Sequence, residues 1–151
     1  MNHSKVIKHI VNWLNTYTID SKTNGYVIGI SGGIDSAVTS TLAASTGRPT
    51  LCLEMPINQS SNELERSNNH IEWLKNNFSN VKSEMIDLSS SFSNYSDKIQ
   101  KIEAKNNLLA LANSRSRIRM TTLYYYATIN NFLVVGTGNK VEDFGVGFYT
   151  K

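Results

Sequence analysis

Apolar residues recur along this chain in two rhythms, one helical and one extended. Val6, Ile7, Ile10, Val11, Leu14 and Tyr17 fall three or four apart, which predicts an amphipathic helix over 3–17. Thr23-Asn24-Gly25 is a turn, and the unbroken apolar run at 26–30 predicts a buried strand. A helix follows to about Thr46 and is ended by Gly47-Arg48-Pro49. Thr50 to Glu54 predicts a second buried strand, stopped at Met55-Pro56. Leu64, Ile71, Leu74 and Phe78 mark a second helix after the first strand, and 81–88 holds a third strand around Met85-Ile86. Helical spacing returns at Phe92, Tyr95, Ile99 and Ile102. The longest helical pattern puts Leu109, Ala112, Ser116, Met120, Leu123 and Ala127 on one face and breaks at Asn130-Asn131. Phe132-Leu133-Val134-Val135-Gly136 is a fourth apolar strand.

Strands that alternate with helices predict an α/β fold, a doubly wound parallel sheet in three layers with helices on both faces. In such sheets ligands bind beyond the carboxyl ends of the strands. Ser31, Met55 and Gly136 end the first, second and fourth strands, so they are expected around one site. A length of 151 residues suits a single domain with a real core. The net charge is only +3 and the basic residues are scattered, so no nucleic-acid surface is expected. The mild basic balance does suit an anionic nucleotide. Cys52 stands alone inside an apolar run, which excludes a disulfide framework or a paired-cysteine metal site; it reads as a small buried residue. His3, His9 and His70 lack metal-ligand spacing. No signal-type or membrane-spanning apolar stretch is visible, so a cytoplasmic protein without a membrane partner is expected.

Three segments carry candidate chemistry. Tyr26 through Ser36 reads as strand, tight Ser31-Gly32-Gly33 turn and helix start. Glycines let backbone N–H groups approach a ligand, and a helix start adds partial positive charge. Together they form a phosphate cradle, and Asp35 at its mouth is placed to hold magnesium against the phosphates. A nucleoside triphosphate is the predicted ligand. The loop is not a Walker A loop, which needs a Gly-Lys pair found nowhere in the chain, nor a G-x-G-x-x-G fingerprint. A plain turn of small residues is the simpler alternative, but the order of strand, glycine pair, aspartate and helix favours the cradle. The second segment begins at the end of the fourth strand. Gly136-Thr137 offers an amide and a hydroxyl, and Glu142 and Asp143 are hard oxygen ligands suited to magnesium. Alone it reads as a glycine-bearing loop with solvated acids; beside the first loop it reads as part of a site. The third segment is Asn113 to Met120, with Arg115, Arg117 and Arg119 at alternate positions. Arg115 and Arg119 share a helix face and Arg117 points elsewhere, so the three cannot grip one phosphate. A solvated basic stripe is the alternative there, as a strand-ending turn is for Met55-Pro56 and the nearby Gln59.

Ser31-Gly32-Gly33-Ile34-Asp35-Ser36 resembles the PP-loop of the N-type ATP pyrophosphatases. Gly136-Thr137 with Glu142, followed by Gly147-Phe148-Tyr149-Thr150-Lys151, is similar to the second signature of ammonia-dependent NAD synthetases. Asn113, Arg117, Arg119 and Met120 stand in register with that family's arginine motif, and Arg115 falls outside it. The resemblance covers nearly the whole chain. It implies ATP, deamido-NAD and ammonia as substrates, Mg2+ as cofactor, and no covalent nucleophile. The roles it implies for ATP fall on Ser31, Gly32, Gly33, Asp35, Ser36, Met55, Gln59, Arg117 and Thr137. Those for deamido-NAD fall on Arg119, Asn139, Phe148 and Lys151, and those for magnesium on Asp35 and Glu142. It also implies a homodimer, with the Val6–Tyr17 helix and Tyr124-Tyr125-Tyr126 as candidate partner surface or as ordinary core. In the family, Thr-Lys is followed by a glycine- and aspartate-rich stretch and further helices. Residues 1–151 are therefore expected to be a single N-type ATP pyrophosphatase domain lacking its C-terminal part, and a weak synthetase by itself. Another PP-loop ligase, such as one like the ATP domain of GMP synthetase, or a catalytically silent ATP-binding module, remains the competing expectation. A tRNA-thiolating enzyme would be expected to show cysteine pairs.

Overall fold

The computed structural model describes residues 2–99 and 107–146. Four parallel strands form its centre: β1 (Gly25–Gly29), β2 (Thr50–Glu54), β3 (Val81–Met85) and β4 (Phe132–Val134), in the order β3-β2-β1-β4. Val27 stands opposite Leu51 on one side and Val134 on the other, which fixes the register of the inner strand. Parallel strands covered on both faces read as continuous apolar runs. That is the pattern of β1 and β2, which are buried almost throughout.

Helices α1 (His3–Asp20), α2 (Ile34–Ala44) and α3 (Ser61–Asn77) cover one face, packing Leu14, Ala43 and Leu74 against Tyr26, Ile28 and Cys52. Helices α4 (Ser89–Lys98) and α5 (Asn107–Asn130) cover the other, where Phe92 and Ala127 meet Val27, Leu51 and Leu53. Successive β1 residues thus point to opposite cores, and the three layers expected from the sequence are present. Polar groups inside the first core are paired. Thr18 donates to Leu14 O at 2.8 Å and shares a 2.7 Å hydrogen bond with the Tyr26 hydroxyl, pinning α1 to the sheet. Burial pushes the Cys52 thiol up to about 12, so it behaves as an inert apolar group.

Several boundaries differ from the sequence pattern. α1 runs on to Asp20, because Thr18 faces the core and continues the helical stripe. β3 stops at Met85, yet Ile86 N still donates to Glu54 O and Leu88 N to Pro56 O, at 2.8 and 2.9 Å. β4 ends at Val134, although Val135 N donates to Val27 O at 3.0 Å. The stripe expected on α5 is also turned. Leu123 and Ala127 face the sheet with Leu111, Ile118 and Tyr126, whereas Leu109 and Met120 are 52% and 47% exposed. Apolar side chains ring this helix, so periodicity alone did not select the face that packs. Ile102 lies outside the described residues. Among the described residues, no helix is long and apolar enough to cross a membrane.

From β1 the chain winds outward through β2 to β3, then returns to the opposite side of β1 as β4. The carboxyl ends of β1 and β4 therefore flank the switch point, where a crevice opens between diverging connections.

Candidate active site

The loop from Ser31 to Ser36 joins β1 to α2 at that crevice. Gly32 has φ +78°, a left-handed conformation that other residues adopt at a cost. A Cβ added there would lie 2.9 Å from Glu63 O and 3.2 Å from both Arg66 Cβ and Ser67 N. The loop thus rests directly on the first turns of α3. Its own hydroxyls brace it. Ser36 is 3% exposed; its Oγ donates to Gly33 O at 2.9 Å and accepts from Ser31 N at 3.3 Å. Gly33 N donates to Ser31 Oγ at 3.2 Å.

The two helix starts beside the loop are finished differently. α3 is closed by a capping box, in which Ser60 and Glu63 satisfy each other's backbone N–H groups. The two bonds from Ser60, through its N–H and its hydroxyl, hold the Glu63 carboxyl below its usual range. α2 begins at Gly33, which has no side chain to cap it. Its first-turn N–H groups are left to whatever occupies the loop.

Next to this loop lies a cleft of about 390 Å³. Gly29, Ile30 and Ser31 line it from β1, Met55 and Gln59 from beyond β2, and Val134 to Thr137 from β4. Ser116, Arg119, Met120 and Leu123 of α5 form the remaining wall. Gly29 keeps the cleft open, since a Cβ there would come within 3.1 Å of Met55 Cε. Arg119 is half-buried and donates from Nε to Met55 O at 2.9 Å. Desolvation lowers its pKa from the usual range, Arg115 adds to that shift and Glu63 opposes it. A larger groove of about 650 Å³ follows the open edge of β4, lined by Trp13, Tyr17, Tyr124 and Phe132. It meets the cleft along Val134, Val135 and Gly136 but takes no residue from the glycine loop.

The cleft brings together Ser31, Met55, Gln59, Arg119 and Thr137, five of the residues singled out from the sequence. Gly32, Gly33 and Asp35 sit in the adjoining loop and the first turn of α2. Arg117 is exposed and does not line the cleft. Asn139 Oδ1 accepts from Val141 N and Glu142 N, both at 3.0 Å, and so starts the π-helical turn Val141–Val146 that carries Glu142. Phe148 and Lys151 lie outside the described residues. The sequence did not point to Gly29 or Val134 as wall residues, nor to the α3 segment beneath Gly32. A glycine inside an apolar strand was the one available signal, because it marks close approach of a neighbour.

Among the described residues, no cluster of three or more His, Cys, Asp or Glu side chains is arranged to hold a metal ion unaided. Magnesium carried by a nucleotide asks less, since one or two carboxylates suffice when phosphates and water complete the shell. Asp35 fits that donor set: its half-exposed carboxylate makes no hydrogen bond among the described residues. Glu142 is half-buried in the turn that follows β4, and the Glu54 carboxylate at the end of β2 is taken by Ser67.

Comparison with known proteins gives the family and supports the fold. The family model described as NAD synthase matches residues 6–151. The NH(3)-dependent NAD(+) synthetase of Mycoplasma genitalium is 40% identical over 152 residues, covering 99% of this chain and 58% of that protein. The enzyme of the same name from Carboxydothermus hydrogenoformans is 36% identical over 156 residues, covering 100% and 60%. Among solved structures, the NMN synthetase from Francisella tularensis superimposes with TM-score 0.89 at 32% identity, over 100% of this chain and 60% of that one. The NH3-dependent NAD synthetase from Campylobacter jejuni, solved with a nitrate ion, gives 0.87 at 30% identity over 99% and 62%. The chain therefore spans 58–62% of the length of these relatives. With the family model matched across residues 6–151 and the same fold in two solved synthetases, this chain belongs to the NAD synthase family.

Proposed function

We propose that this chain forms the ATP-binding part of an ammonia-dependent NAD synthetase. The reaction joins deamido-NAD to ammonia at the expense of ATP. An oxygen of the nicotinate carboxylate attacks the α-phosphorus, the bond to the bridging oxygen breaks, and pyrophosphate leaves. Ammonia then attacks the acyl carbon of the adenylate, AMP departs, and a proton is released to solvent. The observation that carries this reading is the uncapped start of α2, reached through a glycine loop that opens on the cleft between β1 and β4.

Ser31, Gly32, Gly33 and Ser36 are assigned to the β- and γ-phosphates: Ser31 N and Gly33 N are paired with hydroxyls inside the loop and hold its shape, which leaves Gly32 N and the first-turn amides of α2 to donate. Base and ribose enter the cleft along Met55 and Gln59, with Arg119 and Thr137 orienting the nucleotides. Arg117 and Asn139, with Phe148 and Lys151, are assigned to the nucleotides by family resemblance alone. Asp35 and Glu142 hold magnesium, which when bound neutralises charge on the departing pyrophosphate. A homodimer is supported by apolar side chains left exposed on α1 and α5, among them Ile7, Trp13, Tyr17, Tyr124 and Tyr125. A cytoplasmic setting is part of the same proposal.

The test is direct. Mg-ATP should bind the chain in calorimetry, and pyrophosphate release should depend on deamido-NAD and not on XMP or tRNA. Absence of Mg-ATP binding would remove the proposal. The Francisella neighbour supports a second acceptor, the acid form of nicotinamide mononucleotide. Offering both acids separately decides which one triggers pyrophosphate release.

A further inference from the structure

α3 is the floor of the phosphate loop as well as a covering layer. Arg66 leaves this helix where its Cβ lies 3.2 Å from the position a Cβ on Gly32 would take. The base of its side chain is therefore in contact with the middle of the loop, while the side chain as a whole is exposed. Its anchor point is rigid. The next residue, Ser67, is 4% exposed and hydrogen-bonds the carboxylate of Glu54, itself 5% exposed at the end of β2. The capping box fixes the first turn of the same helix. Only the outer part of Arg66 is free to move.

The charges nearby are arranged for a polyanion. Glu63 interacts electrostatically with both Arg66 and Arg119. Arg119 is already committed to Met55 O and lines the cleft, whereas Arg66 does not line it. Its anchor point stands beside the loop, where terminal phosphates would lie, and outside the cleft lining, where a base or ribose would lie. A guanidinium offers planar, paired donors that match phosphate oxygens better than an ammonium does.

Resting on the reading of the loop as an ATP site, we propose that Arg66 is a phosphate-binding residue. Its guanidinium closes the cradle over the β- and γ-phosphates of ATP seated on Ser31–Ser36. Nothing in the family signatures quoted from the sequence points to it.

The experiment titrates the whole chain with Mg-ATP and, separately, with AMP. Arg66→Ala should weaken Mg-ATP binding about tenfold, the loss expected for one charge-assisted contact, and leave AMP within about twofold. Arg66→Lys should recover part of the loss, because charge returns without the paired donors. Thermal unfolding should not move, since the side chain is exposed. Unchanged Mg-ATP affinity in Arg66→Ala would overturn the assignment. So would an equal loss for ATP and AMP, which would mark a general disturbance of the cleft. If the unsubstituted chain itself fails to bind Mg-ATP, the ATP reading falls and takes this assignment with it. Binding by the unsubstituted chain with an unaffected Arg66→Ala removes the assignment alone.

Discussion

Gly32 and Gly33 are adjacent, yet alanine should affect them in opposite ways. At Gly32 the backbone has φ +78°, a conformation that costs a non-glycine residue about 1–2 kcal/mol. The added methyl would also meet Glu63 O at 2.9 Å, and a backbone carbonyl of a capped helix cannot swing aside. Forcing loop and helix apart adds a strain of roughly 1–3 kcal/mol, as overpacking elsewhere does. Gly32→Ala should therefore lose about 2–5 kcal/mol of folding stability. With a urea dependence of about 2 kcal/mol per molar, a loss of that size moves the unfolding midpoint by roughly 1–2.5 M. Gly33 has φ −91°, which any residue accepts, and its added methyl meets only Ser31 Oγ, at 3.3 Å. Gly33→Ala should cost less than about 1 kcal/mol, the scale of a change at a helix start. It should nonetheless impair Mg-ATP binding, because the methyl occupies the exposed side of the loop, which a phosphate would approach. Urea unfolding and calorimetry on the two variants separate the effects. Equal midpoints for both, or intact Mg-ATP binding by Gly33→Ala, would refute the reasoning.

Asp35→Asn keeps the shape of the side chain and removes its charge. Mg-ATP affinity should fall to that of metal-free ATP, while stability drops by less than about 1 kcal/mol, the worth of an acid in a first helical turn; a magnesium dependence that survives would remove the metal role. Ser67→Ala leaves the buried Glu54 carboxylate without its hydroxyl partner and should cost about 1–3 kcal/mol, read as a lower urea midpoint; an unchanged midpoint would show that Glu54 finds another partner. His70 pairs with Ser40 Oγ at 2.8 Å, and burial holds its pKa below the ordinary 6.5. An unfolded chain therefore takes up the proton first as pH falls, so this contribution to stability is complete above 6.5 and lost as pH drops through the folded value. Melting temperature should decline from pH 7 toward 5, and His70→Gln should flatten the decline; an unaltered profile would sink the assignment.

How much of this was legible in the sequence depended on where each residue stands. β1 and β2 are buried on both faces, so their apolar runs announced them almost to the residue. β3 is an edge strand in which only Val81 is buried, and its Lys82, Ser83 and Glu84 carry no apolar signal; the pattern was drawn instead to Met85-Ile86. α5 was visible as a helix, but which stripe faced the sheet was a matter of tertiary packing. The strand, glycine turn and helix start were readable because their signals are local: glycines, serine and aspartate stand within six positions. The α3 floor was not, because the approach of Gly32 to Arg66 joins residues far apart in the chain. Arg66 lies in the polar run Asn62 to Asn69, which by itself reads as a solvated helix face.

That floor explains how the turn is held ready for a ligand. Glycine adopts the left-handed conformation at position 32 without penalty, and contact with α3 fixes where the loop lies. α3 is in turn fixed at two points, by Ser67 to Glu54 at the end of β2 and by the Ser60–Glu63 box at its start. β2 pairs with β1 through Gly29 opposite Leu53, and Ile30 N donates to Leu53 O at 2.9 Å just before the loop begins. Strand, helix and loop therefore close a mechanical circuit around the proposed phosphate cradle. Donors aimed at a developing charge help most when they need no rearrangement as the charge appears. The closed start of α3 and the open start of α2 are then two halves of one arrangement: the first satisfies its own amides and stays rigid, so that the second can leave its amides for a nucleotide.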